Sequence, residues 1–200
     1  MIDRIADDIV SQGYCVYRDA LPLELMRALA HEAQQLEMTP ARIGRGGDQA
    51  VAPDRRSDSI HWIDDSLPAG KQWLAGCDDL RLSLNRLLAA GLFSFESHYA
   101  RYAEGAFYER HVDAFRGDAN RKLSLVAYLN EEWVDQDEGQ LVLYPEGADP
   151  IAVNPAMGTL VVFLSEELAH EVKPARRERL SIAGWFRLNQ SHSGRADPPS

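Results

Sequence analysis

His111-Val112-Asp113 places an imidazole and a carboxylate two residues apart in an aromatic-rich, strand-like stretch, and a second imidazole, His170, heads another apolar strand pattern far downstream. In an extended strand, residues i and i+2 share a face, so His111 and Asp113 converge on one point while Val112 turns away into packing. Two imidazoles and one carboxylate are the ligand set of a facial triad, which holds ferrous iron on one side and leaves the other open. His170 reaches the same point if residues 121–164 fold back as antiparallel strands. Taken singly, His111 reads as a surface histidine in a polar turn and His170 as a satisfied core histidine. Metal sites are recognised by several ligands together, and a further residue bears on the choice. Arg179 follows His170 by nine positions, at the head of the strand pattern Arg179-Leu180-Ser181-Ile182-Ala183-Gly184-Trp185-Phe186. Its planar fork can hold a carboxylate through two hydrogen bonds, where lysine offers only a point charge.

Elements that position these side chains are legible around them. Ile2, Ile5, Ala6 and Ile9 recur at helical spacing up to Gly13, and Tyr14-Cys15-Val16-Tyr17 reads as a short strand. Pro22 opens a second helix carrying Leu25, Met26, Leu29, Ala30 and Ala33, and Pro68 opens a third that runs to about residue 90 before Gly91. Between them, residues 39–58 hold glycines, prolines and Arg42, Arg45, Arg55 and Arg56 without periodicity. That composition predicts a long loop, and long loops in compact domains are commonly functional lids. Ile60-His61-Trp62-Ile63 then resumes a strand-like run. From residue 93 the pattern is short β-branched or aromatic segments at 95–102, 122–129, 140–144, 151–153, 159–164, 170–173 and 180–188, separated by turn residues such as Pro145-Glu146-Gly147. Helices followed by strands predict an α+β chain, with helices packed outside the antiparallel sheets of a jelly roll. The expected organisation is one domain over residues 1–189, with helical support to about 92 and a jelly-roll core from about 93, and a frayed tail at 190–200.

Composition narrows the function. The 200 residues are 45% hydrophobic and 26% charged, ordinary for a globular domain, and carry a net charge of −10. An acidic chain is a poor general binder of nucleic acid, which needs clustered cations. The local cluster Lys173, Arg176, Arg177 and Arg179 beside His170 reads either as a solvated face or as a seat for an anionic co-substrate. No run of about 18 apolar residues predicts a membrane span. The acidic start and the two cysteines, Cys15 and Cys77, fit a reducing, cytoplasmic setting with no disulfide framework.

The ordered set resembles a known family. Tyr102-Ala103-Glu104-Gly105-Ala106-Phe107-Tyr108-Glu109-Arg110-His111-Val112-Asp113 is similar to the Tyr, Gly, Tyr, His-x-Asp signature of the iron(II)- and 2-oxoglutarate-dependent dioxygenases, most closely the prolyl 4-hydroxylases. Tyr128-Leu129-Asn130-Glu131-Glu132-Trp133, Gly139, Tyr144-Pro145-Glu146-Gly147 and Arg56-Ser57-Asp58-Ser59-Ile60-His61-Trp62-Ile63 resemble the hypoxia-factor type in particular. The resemblance implies a double-stranded β-helix, that is, a jelly roll. It implies His111, Asp113 and His170 as ligands of Fe(2+), with Arg179 binding the distal carboxylate of 2-oxoglutarate and Tyr128 donating its hydroxyl to the same group. Tyr102 is then expected beside the co-substrate and metal. Tyr108 and Trp185 are expected at the mouth where a substrate proline enters, and Asp58 and Arg121 as an ion pair near that entrance. It also implies O2 as the second co-substrate, dependence on L-ascorbate, and a protein substrate carrying the target proline, such as a translation factor, a ribosomal protein or a collagen-like segment. Rival readings keep the iron chemistry on a small molecule or another side chain, or keep the metal in a cupin-like binding domain without turnover. Arg179 and Tyr128 discriminate against the latter, which needs no carboxylate anchor.

Overall fold

The computed structural model of the chain describes residues 1–41, 52, 54–113 and 120–189. Most of the predicted 39–58 lid, including Arg42 and Arg45, and the predicted 190–200 tail therefore lie outside the described residues. Helix α1 (Ile2–Gln12) buries Ile5, Ala6 and Ile9 and stops at Gly13, whose left-handed φ of 81° lets its N–H return to the Ile9 carbonyl. Strand β1 (Tyr14–Tyr17) follows, then α2 (Leu23–Gln35), which buries Met26, Leu29, Ala30 and Ala33. The region predicted as loop opens with one short strand, β2 (Thr39–Pro40), which pairs with β3 (Ser59–Trp62), the strand-like run expected just beyond it. Two residues are too few to show the period-2 alternation by which a strand is read. Helix α3 (Pro68–Leu88) ends slightly before the expected boundary, at Ala89 in the left-handed region. Its first turn is closed by α2: the Glu32 carboxylate accepts the N–H groups of Ala69 and Gly70, both at 2.9 Å, and the Tyr99 hydroxyl at 2.6 Å. These are N–H groups that a helix start leaves without intrahelical partners.

The remaining strands are β4 (Leu92–Tyr102), β5 (Tyr108–His111), β6 (Arg121–Tyr128), β7 (Leu141–Tyr144), β8 (Ile151–Val153), β9 (Leu160–Leu164), β10 (Ala169–Val172) and β11 (Arg179–Leu188). They form a seven-stranded sheet, β1-β9-β6-β11-β4-β3-β2, and a four-stranded sheet, β5-β10-β7-β8, with antiparallel pairing throughout. This is the predicted jelly roll with helices outside.

Both faces of the larger sheet are buried, and the alternation of side chains sorts them. Leu123, Leu125 and Ala127 of β6, Leu160 and Val162 of β9, and Leu180, Ile182 and Phe186 of β11 join the helices in one core. Val161 and Phe163 of β9, Tyr128 of β6, and Ala100 and Tyr102 of β4 join Leu141, Leu143, Val153 and Val172 of the smaller sheet in a second. The period of two thus assigns alternate residues of β4, β6 and β11 to the interior between the sheets, where the candidate site lies.

Candidate metal centre and active site

His111 ends β5 and His170 lies within β10, and the two are direct cross-strand partners. Asp113 comes from beyond the end of β5, so the expectation of one continuous strand through all three residues is corrected: pairing stops at His111. The carboxylate nevertheless reaches the imidazoles, with its Oδ1 3.5 Å from His111 Nε2 and 3.7 Å from His170 Nε2. Candidate ligand atoms of the three residues lie within 4.8 Å of one another. Opposite ring nitrogens are committed elsewhere, His111 Nδ1 to the Glu109 carbonyl at 2.7 Å and His170 Nδ1 to the Leu168 carbonyl at 3.2 Å. A carbonyl only accepts, so each Nδ1 carries the proton and each Nε2 presents a lone pair.

Protonation favours the same use. Burial pushes the His170 imidazole down to about 4, helped by His111 and opposed by Asp113. Burial alone would raise the Asp113 carboxyl, but the neighbouring histidines and a hydroxyl from Ser124 hold it well below the usual carboxylate range. A neutral buried imidazole beside an ionised carboxylate is the donor state that a cation requires. The rings are held in a layered stack. Tyr108 lies 3.6 Å from His111 at an interplanar angle of 19°, Arg56 caps Tyr108 at 4.6 Å, and Phe163 stands edge-on to His170 at 4.7 Å. With ligand distances of about 2.0–2.2 Å for imidazole and carboxylate, one small cation can be shared by donors at these separations. The residues therefore fit a metal.

Arg179 opens β11 and is 1% exposed. Its Nε donates to the Gly139 carbonyl at 3.0 Å and its Nη1 to Ser181 Oγ at 3.2 Å, and it has no carboxylate partner among the described residues. Gly139 has a φ of +71°, and a Cβ there would lie 2.7 Å from that of Ala175, so the turn that supplies this carbonyl requires glycine. The guanidinium carbon lies 5.0 Å from the Tyr102 ring centre and 5.1 Å from that of Tyr128. Tyr128 is fully buried and its hydroxyl has no hydrogen-bond partner among the described residues. Burial pushes that phenol up to about 12 against the pull of Arg179, so it remains a donor. A buried cation without a counter-ion beside an unpaired donor is costly in isolation, and a ligand carboxylate satisfies both.

A cavity of about 300 Å³ joins the two halves, lined by His111, Asp113 and His170 on one side and Arg179 on the other, with Tyr102, Tyr108, Trp185 and Arg121 also in its wall. Tyr128 and Asp58 are not part of that wall. The predicted Asp58–Arg121 pair is not formed. Asp58, 2% exposed, instead takes both prongs of Arg56 at 2.6 and 2.9 Å. Arg121 donates to Glu96 at 2.7 and 3.0 Å and lies 3.6 Å from the Trp185 ring. Each has a closer partner of opposite charge, Arg56 two residues away and Glu96 on β4. The Trp185 Nε1 is buried without a partner among the described residues.

Sequence reasoning passed over Ser124, Glu96 and His98. The last lines the cavity between Trp62 and Trp185, at ring distances of 5.2 and 5.4 Å. Their signal was available as polar residues within strand-like runs, but assigning each to a face needs the register.

Fold and site together define an oxygenase of the iron and 2-oxoglutarate class, and residues 97–187 match the 2OG-Fe(II) oxygenase superfamily. The crystal structure of a Pseudomonas putida prolyl-4-hydroxylase aligns with a TM-score of 0.86 and 44% identity, covering 94% of this chain and 99% of that one. The chain belongs to the prolyl 4-hydroxylase family of that superfamily. A Trichoplax adhaerens prolyl hydroxylase, in complex with a hypoxia inducible factor oxygen degradation domain peptide fragment, aligns with a TM-score of 0.81 and 26% identity over 93% of this chain and 88% of that one. A prolyl 3,4-dihydroxylase of Ostreococcus tauri is 28% identical over 106 residues, 46% of this chain, and the match spans 20% of that relative's length. Among the described residues, no helix is long and apolar enough to cross a membrane.

Proposed function

We propose that this chain is an iron(II)- and 2-oxoglutarate-dependent dioxygenase that hydroxylates a prolyl residue in a protein. The observation that carries the reading is the meeting, in one cavity, of three convergent metal donors and a buried arginine that has no carboxylate partner among the described residues. His111, Asp113 and His170 would hold Fe(2+), and three protein ligands leave coordination positions for co-substrates. Bound there, ferrous iron supplies the oxidative chemistry: 2-oxoglutarate and O2 are converted to succinate and carbon dioxide, and one oxygen atom enters a substrate C–H bond.

The protein's own residues bind, orient and exclude water. Arg179 and Tyr128 would clamp the distal carboxylate of 2-oxoglutarate, the arginine through its guanidinium and the tyrosine through a hydroxyl that has no hydrogen-bond partner among the described residues. Tyr102 would flank the co-substrate. Tyr108 and Trp185 form the wall against which a proline ring would lie, and the unpaired Trp185 N–H suits an acceptor on the substrate backbone. Arg121 would fix the Trp185 ring. Asp58 acts at one remove, by holding Arg56 over Tyr108.

A protein substrate is favoured by the relatives, one of which is bound to a peptide fragment. A translation factor, a ribosomal protein or a collagen-like segment is the proposed range. L-ascorbate is proposed as a supporting reductant, and two buried, free cysteines suit a cytoplasmic setting. The test is succinate release with a panel of proline-bearing proteins, followed by mass spectrometry for one added oxygen on proline. Succinate formed only with a small molecule, or an oxygen on another side chain, would move the chemistry to a different substrate. Metal bound without any turnover would favour the cupin-like alternative.

A further inference from the structure

The three donors of the metal centre are not held alike. Both histidines are aimed by main-chain carbonyls, Glu109 for His111 and Leu168 for His170. Asp113 is aimed by side chains. Its Oδ2 accepts a hydrogen bond from Ser124 Oγ at 2.5 Å, and Ser124 Oγ lies 2.9 Å from Ser165 Oγ. Proton counting sets the direction. An ionised carboxylate can only accept, so the single Ser124 hydroxyl proton goes to Asp113 and Ser165 must donate to Ser124. Both serines are buried, and Ser124 sits on β6 in register with Phe163 of β9 and Trp185 of β11. Ser165 is anchored in turn, its N–H donating to the Lys122 carbonyl at 3.2 Å.

The division of labour within the carboxylate is the informative part. Oδ1 faces both imidazoles, while Oδ2 is turned toward the serine. Left unengaged, the second oxygen of an Asp is itself a metal donor, and carboxylates bind in one-toothed or two-toothed fashion. We infer that Ser124 and Ser165 form a proton-ordered relay that occupies Oδ2, so that Asp113 offers a cation one oxygen in one fixed pose. The two serines are positioning residues. Hydrogen bonds in series polarise one another in a buried setting, so loss of Ser165 weakens what Ser124 does. The inference rests on the proposed metal-binding role of His111, Asp113 and His170 and extends it to two residues that touch neither metal nor substrate.

The test is anaerobic titration of the full chain with Co(2+), reading the dissociation constant and the visible ligand-field spectrum, alongside thermal unfolding without metal. Ser124→Ala should weaken Co(2+) by about 10–100-fold, the usual cost of removing a group that orients a metal ligand, and should change the spectrum as the carboxylate turns. Ser124→Thr keeps a hydroxyl and should restore both. Ser165→Ala should weaken binding in the same direction by less. A folded Ser124→Ala with wild-type affinity and spectrum would overturn the relay, as would lower melting without altered affinity, which marks packing alone. Should Ser124→Ala fail to fold, Ser165→Ala decides, and unchanged affinity there overturns the inference equally. Absence of Co(2+) binding by the wild-type chain would instead remove the metal reading itself.

Discussion

Replacing Tyr128 by phenylalanine should push stability and co-substrate affinity in opposite directions. In the ligand-free protein the Tyr128 hydroxyl is buried and unpaired among the described residues, and an unsatisfied buried polar group costs about 1–3 kcal/mol. Phenylalanine keeps the ring that lies 5.1 Å from the Arg179 guanidinium and removes only that hydroxyl. The variant without ligand should therefore be more stable by about 1 kcal/mol, the lower end applying if water from the cavity already serves the hydroxyl. With 2-oxoglutarate bound, the same atom would donate to a carboxylate, a hydrogen bond worth about 1.5–3 kcal/mol, or roughly a 10- to 150-fold loss of affinity. Urea unfolding of the metal-free chain reads the first quantity, and anaerobic titration of the metal-loaded chain with 2-oxoglutarate reads the second. A variant that is less stable and binds 2-oxoglutarate as tightly as wild type would refute the reasoning, because the hydroxyl would then have a structural partner and no ligand role.

Arg179→Lys should weaken 2-oxoglutarate more than Tyr128→Phe does while leaving Co(2+) affinity unchanged, since it keeps the charge and loses the fork that also reaches Gly139 and Ser181; both titrations check it. Alanine in place of His111, Asp113 or His170 should abolish succinate release and ferrous binding with melting only moderately changed, and full activity in any one would remove that residue from the ligand set. Acid should destabilise the fold through His98, which burial first, then the charge of Arg56, pushes down to about 4. From pH 6.5 down to about 4 the unfolded chain takes up a proton there that the folded chain refuses, so up to about 3 kcal/mol is lost across that window and none above it. In His98→Gln the slope of stability against pH between 6.5 and 4 should be shallower, and an unchanged slope would assign the acid sensitivity to other groups.

Periodicity and turn chemistry located the three helices and nearly every strand of the jelly roll, because most have a stripe or alternation long enough to read. They miss β2, whose two residues carry no period, and carry β5 two residues too far, because neither Val112 nor Asp113 is a Gly or Pro that would mark the end of pairing. The donor triad and Arg179 were legible as residue types in order. Partnerships were harder. Asp58 and Arg121 each have an oppositely charged neighbour, Arg56 and Glu96, that only the folded register reveals as nearer. Ser124 was invisible for a related reason. A serine between Leu123 and Leu125 looks like a tolerated polar residue until β6 is known to turn it toward Asp113.

The position of β11 bears on how the enzyme comes into being. This strand, Arg179–Leu188, is the last among the described residues, yet it sits in the middle of the larger sheet between β6 and β4. During synthesis, β4 and β6 emerge long before the strand that joins them, so the sheet cannot close by pairing neighbours in order, and long-range pairing of this kind is slow. A growing chain would already carry His111, Asp113 and His170 before it carried Arg179. Iron captured at that stage would meet no anchored co-substrate. Completion of the sheet and acquisition of the anchor coincide, so the capacity to activate oxygen would arrive only with the finished fold.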